Sequence, residues 1–101
     1  MKGRPVPKYV LTEIQQKVRS GAFQITGTAR RTATALGFDE SEVIACVLSL
    51  DRHDFYKSME SEMVPGSWQD VYRPEFLGEM LYVKLSVLPT GWAIVISFKE
   101  L

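Results

Sequence analysis

The sequence predicts an α+β domain in which helices from the first half of the chain pack on one face of a twisted antiparallel sheet formed by the second half. Two observations support this prediction. Up to Leu50 the apolar residues recur at intervals of three and four, as on one face of a helix, and after Leu50 they alternate with polar residues, as in strands. The chain has 101 residues, 46% of them hydrophobic, which suffices for one core, so residues 1–101 are expected to form a single domain.

Three helices are predicted before the pattern changes, and their ends carry residues typical of helix termini. The first is expected to have Thr12 as its N-cap and to end at Gly21, and the second to end at Gly37. The third begins at Asp39, which with Glu42 can form a capping box. These residues predict three short helices joined by tight connections.

The sequence contains one cysteine and one histidine, Cys46 and His53. One cysteine excludes a disulfide within the chain, and the pair is too few for a Cys/His zinc site made by this chain alone. Cys46 lies close to the apolar stripe of the third helix, so we interpret it as a small core residue rather than a reactive thiol. Neither a metal nor a cofactor is expected.

Four strands are predicted in the second half, and glycine- or proline-containing turns separate them. They are Phe55–Met63, Trp68–Phe76, Met80–Leu88 and Trp92–Leu101. Short connections favour antiparallel neighbours, and helices on one face leave the other face open to water.

Side chains alternate across a strand, so parity predicts which residues share the open face. The polar residues expected together there are Gln69, Arg73, Tyr82, Lys84 and Lys99. On the last strand, the residues assigned to the core are Trp92, Ile94, Ile96 and Phe98, and those assigned to the open face are Ala93, Val95, Ser97 and Lys99. Lys57 stays undecided, because Phe55 and Met59 share its parity and can be either core residues or stacking platforms.

The predicted turns also fix a register. A two-residue turn at Leu77-Gly78 pairs Phe76 with Glu79 and places Arg73 opposite Tyr82. To keep Lys99 on the same side as Tyr82, the loop between the last two strands must have an even number of residues. A two-residue loop sets Lys99 opposite Tyr82, and a four-residue loop moves it one diagonal step away.

Such a polar face has two interpretations. RNA can be cleaved by its own 2′-hydroxyl if a base removes the proton, cations stabilise the phosphorane and an acid protonates the leaving oxygen. A lysine crowded by other cations has a lowered pKa, so Lys57 or Lys99 could serve as base or acid, Tyr82 could exchange a proton, and Gln69 could hold a base edge. Alternatively, the face is rich in such residues simply because it meets water.

The charge is balanced overall but unevenly distributed. Residues 1–31 carry seven basic residues against one acidic residue, whereas residues 32–65 carry seven acidic residues against two basic ones. A basic N-terminal third can attract RNA or an acidic partner, or it can be a solvated helical surface. The N-terminal stretch has two prolines and no long apolar run, so we expect neither a signal peptide nor a membrane anchor, and a cytoplasmic location.

Four motifs of the second half, in this order and spacing, resemble those of the MqsR toxins. They are Asp54–Met59 (DFYKSM), Trp68–Pro74 (WQDVYRP), Leu81–Leu85 (LYVKL) and Ser97–Glu100 (SFKE). The resemblance implies a fold related to the RelE-type endoribonucleases. It also implies ribosome-independent, metal-free cleavage of messenger RNA at short GC-containing sequences. The implied partner is an MqsA-type antitoxin with a zinc-binding N-terminal domain and a DNA-binding C-terminal domain.

Carried over residue by residue, the resemblance implies a catalytic set of Lys57, Gln69, Tyr82 and Lys99. Met59 and Arg73 are implied as supporting neighbours, and Lys84, which parity places on the same face, is grouped with them as substrate-binding. The resemblance also directs Phe55 and Met59 towards the site or its rim, whereas His53 precedes the matched motif and is not expected to be catalytic. The alternative is a non-catalytic module that binds nucleic acid or protein through its basic N-terminal helices.

Overall fold

Residues 3–101, which the computed structural model describes, form three α-helices followed by most of a twisted sheet. The helices are α1 (Leu11–Arg19), α2 (Gly27–Ala35) and α3 (Glu40–Ser49), and a 3₁₀ turn covers Arg52–Asp54. The strands are β1 (Gly3–Arg4), β2 (Phe23–Ile25), β3 (Phe55–Glu60), β4 (Trp68–Tyr72), β5 (Glu75–Phe76), β6 (Glu79–Val87) and β7 (Ala93–Glu100). The α+β prediction is confirmed. No helix within residues 3–101 is both long and apolar enough to span a membrane.

Most of the predicted helix ends are confirmed. Gly21 and Gly37 follow α1 and α2 with φ of 85° and 87°, a conformation that favours glycine, and Asp39 caps α3 in a capping box. Thr12 as N-cap is wrong, because α1 already begins at Leu11 and the N-cap position makes no side-chain bond. The helix starts earlier because the preceding chain is held against the sheet, as described below for Asp70.

The sheet is mixed rather than purely antiparallel. Its strands lie in the order β1-β3-β4-β6-β7-β2, and β5 pairs with β6. All the pairs are antiparallel except β2 with β7, which is parallel. Strands β1 and β2 were not predicted, because two or three residues are too few to show an alternating pattern.

The helices cover one face of the sheet and form the core with it. The sheet contributes the fully buried Tyr72, Leu81, Val83, Leu85 and Phe98 to this core. Cys46 of α3 is also fully buried, and burial, with a smaller effect of Asp54, raises the pKa of its thiol to about 12. Its prediction as a core residue is confirmed.

A buried carboxylate, Asp70 of β4, fixes the chain before α1. Its two oxygens accept hydrogen bonds from the backbone N–H groups of Lys8 and Tyr9, both at 2.9 Å. Asp70 is completely buried on the core side of the sheet, opposite Ser58 and Leu85. The contact joins residues more than 60 positions apart and closes one end of the core.

We expect Asp70→Ala to lower the free energy of unfolding by about 3 kcal/mol, because two backbone donors lose a charged acceptor in a buried setting. Urea denaturation monitored by circular dichroism measures the loss. Glu62→Ala, which removes an exposed carboxylate, is the control and is expected to change the free energy of unfolding by less than about 0.5 kcal/mol. Equal stability of the two variants would show that the Asp70 contact is dispensable.

Candidate active site

A β-bulge in β7 decides which of its residues face the helices. Lys84 pairs with Ser97 but Leu85 pairs with Val95, so Ile96 is an extra residue on β7. A bulge of this kind reverses the alternation beyond it.

The assignments on β7 are therefore only partly correct. Ala93 and Val95 are buried in the core with 2% exposure, which contradicts their predicted place on the open face. Ile94 and Ile96, predicted as core, lie half-buried in a groove with Ser86 on the opposite face, and Trp92 is exposed. Beyond the bulge Phe98 lies in the core, as predicted.

The same bulge explains the pairing of Lys99. The β6–β7 loop is not even-numbered: Pro89–Gly91 are enclosed by a hydrogen bond from Leu88 N–H to the Trp92 carbonyl, which leaves three residues. A three-residue loop alone would put Phe98 opposite Tyr82, and the extra residue at the bulge shifts the register by one. Lys99 is consequently opposite Tyr82, which confirms one of the two predicted positions by a different route.

A second bulge, in β3, settles the orientation of Lys57. Phe55 pairs with Tyr72 and Lys57 with Val71, so Tyr56 is the extra residue. Phe55 packs against the Tyr72 ring on the core side, with 5.6 Å between ring centroids, and it also lines a shallow pocket with Tyr56 and Arg73. Of the two predicted positions, the structure therefore supports the rim and not the open face itself. Tyr56 and Lys57 both lie on the open face.

Four cations and two tyrosines meet on this open face, which we call the cationic face (Tyr56, Lys57, Arg73, Tyr82, Lys84 and Lys99). The Lys99 and Lys84 ammonium nitrogens lie 5.1 and 5.8 Å from the centre of the Tyr82 ring. The Arg73 guanidinium carbon and the Lys57 nitrogen lie 4.4 and 5.4 Å from the centre of the Tyr56 ring. Each ring thus accepts two cations, an arrangement that holds these side chains in place through cation–π attraction.

The strand register accounts for this gathering. Val71 pairs with Lys57 on one side and with Lys84 on the other. Tyr72 pairs with Val83 and Glu75 with Met80, so the same register on both sides of Arg73 places it level with Tyr82.

Gln69 and Met59 lie directly opposite each other on β4 and β3, and both are half-buried. They share the face of Val71 and Lys57, two residues further along each strand. The structure thus brings every sequence-predicted site residue onto one face, with Gln69 and Met59 beside the cations.

A buried valine underlies the lysines. Val71 is completely buried although it lies on the face turned away from the helices. Burial, followed by the charges of Lys99 and Lys57, lowers the pKa of Lys84. Burial, with a smaller effect of Tyr56, raises the pKa of Tyr82. The face therefore holds a lysine that loses its proton more readily than usual and a tyrosine that keeps its proton more firmly.

The charges of the cations on this face are not neutralised by ion pairs within the described chain. In the part of the chain that the structure describes, the ion pairs are Arg30 with Glu40 and His53 with Asp51. Lys57, Arg73, Lys84 and Lys99 therefore have no carboxylate partner among residues 3–101. Four unneutralised cations on one surface of a chain with zero net charge are suited to an anionic ligand.

His53 lies at the margin of this surface. Its side chain is 84% exposed and contacts Asp51, and it lines a shallow pocket with Tyr56 and Arg73. Across residues 3–101 no group of three or more His, Cys, Asp or Glu side chains is arranged to hold a metal ion.

Residues 6–100 match the family model described as motility quorum-sensing regulator, toxin of MqsA. This chain belongs to the MqsR toxin family. It is also 33% identical over 94 residues to the mRNA interferase toxin MqsR of Escherichia coli strain K12, and the alignment covers 93% of this chain and 94% of that protein. The family match spans all three helices and the strands from β2 to β7.

Sequence reasoning missed one member of the cationic face, Tyr56. By parity it should oppose Lys57, and only the β3 bulge brings both to the same side. The local signal for this position is an aromatic residue next to a lysine within DFYKSM. That pair of residues does not distinguish a bulge from a regular strand. In this MqsR family member, Tyr56 connects Lys57 and Arg73 through its ring.

Proposed function

We propose that this protein is the toxin of a type II toxin–antitoxin pair and acts as an mRNA interferase, a metal-independent and ribosome-independent endoribonuclease. Its substrate is messenger RNA cut at short GC-containing sequences, and it acts in the cytoplasm. The observation that supports this most directly is the cationic face, where four cations without carboxylate partners contact the rings of Tyr82 and Tyr56. The named activity of the Escherichia coli relative agrees with it.

The chemistry of RNA cleavage requires what this face offers. The 2′-hydroxyl loses its proton to a base and attacks the adjacent phosphorus, the bond from phosphorus to the 5′-oxygen breaks, and that oxygen takes up a proton from an acid. We assign Lys57, Gln69, Tyr82 and Lys99 to the catalytic set, with Arg73 and Met59 contacting the substrate. Cations close to the phosphate stabilise the charge that develops in the phosphorane.

The pKa shifts favour a division of roles that the sequence left open. Lys84, which the sequence predicts as a substrate-binding residue, has a lowered pKa. We therefore add it to the catalytic set as the candidate general base. Tyr82 has a raised pKa, stays protonated at neutral pH and is the candidate proton donor. The two groups are close, since the Lys84 nitrogen lies 5.8 Å from the Tyr82 ring centre.

The partner that we propose is an MqsA-type antitoxin that binds zinc and DNA, consistent with the family description as the toxin of MqsA. The alternative of a binding module that uses the basic helices receives less support, because the Escherichia coli relative is named for an enzymatic activity. Arg30 of α2 is paired with Glu40, and Arg31 donates to the Thr28 hydroxyl. Lys17 and Arg19 of α1 have no carboxylate partner in the described part of the chain, so the test must compare cleavage with binding.

Cleavage is expected to continue at an unchanged rate when a chelator such as EDTA is added, because a surface with four cations repels divalent metal ions. Primer extension on a defined transcript with purified protein measures both the rate and the cleaved sequences. Lys57→Ala, if it still folds, is expected to cut at least about 100-fold more slowly. Intact RNA with the wild-type protein would contradict the enzyme, and stable, salt-dependent binding without cleavage would favour the binding module. A chelator that abolishes cleavage would contradict the metal-free mechanism.

A further inference from the structure

An apolar groove continues the cationic face along β6. It has a volume of about 560 Å³, and its lining includes Tyr9, Pro65, Ser86, Leu88, Ile94 and Ile96. We call it the Ile94 groove. Ser86 lies on the same face of β6 as Lys84, and two residues along a strand span about 7 Å. The groove therefore begins within the reach of a single nucleotide from the cations.

The residues that line the Ile94 groove carry no charged side chain, in contrast to the neighbouring face. Its lining includes the hydroxyls of Ser86 and Tyr9, which both donate to the Trp68 carbonyl, at 2.6 and 3.3 Å, and lie 3.5 Å from each other. Their oxygens remain available as acceptors. Such a surface excludes a phosphate but suits a flat, uncharged group with hydrogen-bonding edges.

The walls of the groove are held by hydrogen bonds that backbone N–H groups donate. One wall is the turn at residues 61–67, in which Gly66 N–H donates to the Glu60 carboxylate at 2.8 Å. The other wall is the β6–β7 turn, which is closed by a hydrogen bond of 2.8 Å from the Leu88 N–H to the Trp92 carbonyl. A ligand therefore meets a groove that is already formed, and little ordering is needed on binding.

We infer that the Ile94 groove binds one nucleobase of the RNA, in a nucleotide next to the phosphate held on the cationic face; this rests on the proposed function. The isoleucine and proline side chains contact the faces of the base, and the Tyr9 and Ser86 hydroxyls meet its edge. The continuity of the two surfaces on β6 supports RNA as the occupant, because its backbone is anionic and its bases are not.

The test uses short RNA substrates, each with one abasic nucleotide at a successive position around the cleaved phosphate. With wild-type protein, one abasic position is expected to lower kcat/KM about 10-fold or more, as for the loss of a stacked base. In the Ile94→Ala/Ile96→Ala double variant, intact RNA loses a similar factor, and the abasic position has an effect of about 2-fold or less. Ile44→Ala on α3, a half-buried isoleucine outside the groove, is the control and retains the full abasic effect.

An abasic effect of the same size in the wild type and the double variant would overturn the inference. So would a double variant that cuts RNA normally but no longer binds its antitoxin, since the groove would then be a protein-binding surface. If the wild-type protein cuts no RNA, the proposed function fails. The affinity of the protein for the same RNAs with 2′-O-methyl riboses then tests whether the groove binds a base. If one abasic position weakens RNA binding by the wild-type protein but not by the double variant, the inference is supported. If no abasic position weakens binding by the wild-type protein, the inference is overturned.

Discussion

Replacing Tyr82 with phenylalanine is expected to reduce RNA cleavage about 100- to 10,000-fold while leaving the fold and RNA affinity close to those of the wild type. The substitution removes only the hydroxyl. The ring that contacts the Lys84 and Lys99 ammonium groups remains, so the cations keep their positions. Because burial and Tyr56 raise the pKa of Tyr82, the hydroxyl is protonated at neutral pH and its loss removes a proton donor. Single-turnover cleavage of a short RNA measures the chemical step.

Tyr72→Phe provides a matched control. Tyr72 lies on the opposite side of the sheet, in the core, and its buried hydroxyl has no hydrogen-bond partner within the described chain. Removing that hydroxyl is expected to leave cleavage unchanged and stability unchanged or slightly higher, since an unpartnered buried polar group is costly. Equal activity of Tyr82→Phe and Tyr72→Phe would show that the Tyr82 hydroxyl takes no part in the reaction.

The second large effect is expected for Lys84→Arg. Arginine keeps the positive charge but does not release a proton near neutral pH, so it can bind phosphate without acting as a base. If Lys84 is the general base, kcat/KM of the wild type rises with pH up to the lowered pKa of Lys84, where the amine becomes neutral. The arginine variant is expected to lose about 100-fold or more in kcat and to lack this rise. A pH profile of kcat/KM for both proteins makes the measurement.

A companion variant tests the cause of the lowered pKa. The Lys99 charge contributes to it, so Lys99→Gln is expected to move the rise of kcat/KM to higher pH, whatever its effect on the maximal rate. Wild-type activity and an unchanged profile in Lys84→Arg would mean that Lys84 only binds phosphate. Lys57 or Lys99 would then remain as the candidate base.

Several features of the fold were predictable because their signals are local. The change of apolar period after Leu50 separates helices from strands, and Asp39 with Glu42 fixes the start of α3. The Leu77-Gly78 turn has positive φ at both residues, as a two-residue hairpin of type I′ requires. It sets the register that places Arg73 level with Tyr82. The prediction that the polar residues share one face agrees with this register.

The two bulges were not predictable in the same way, because a bulge depends on contacts made elsewhere in the chain. The carbonyl of Ile96, the extra residue of β7, accepts a hydrogen bond at 2.9 Å from the Thr26 hydroxyl, which also caps α2. These residues are 70 positions apart, so no local pattern around Ile96 reports the contact. The bulge places Ala93 and Val95 in the core and the half-buried isoleucines of the groove on the opposite face.

The sequence by itself determined the order of the elements and the cations of the open face. Its motifs also indicated membership of the MqsR toxin family. Only the tertiary structure decided that Tyr56 joins these cations, that Phe55 does not, and that burial and the charges of its neighbours lower the pKa of Lys84. The reason is physical. Alternation is a property of each strand alone, whereas an extra residue in a strand and the burial of a side chain depend on which neighbours pack beside it.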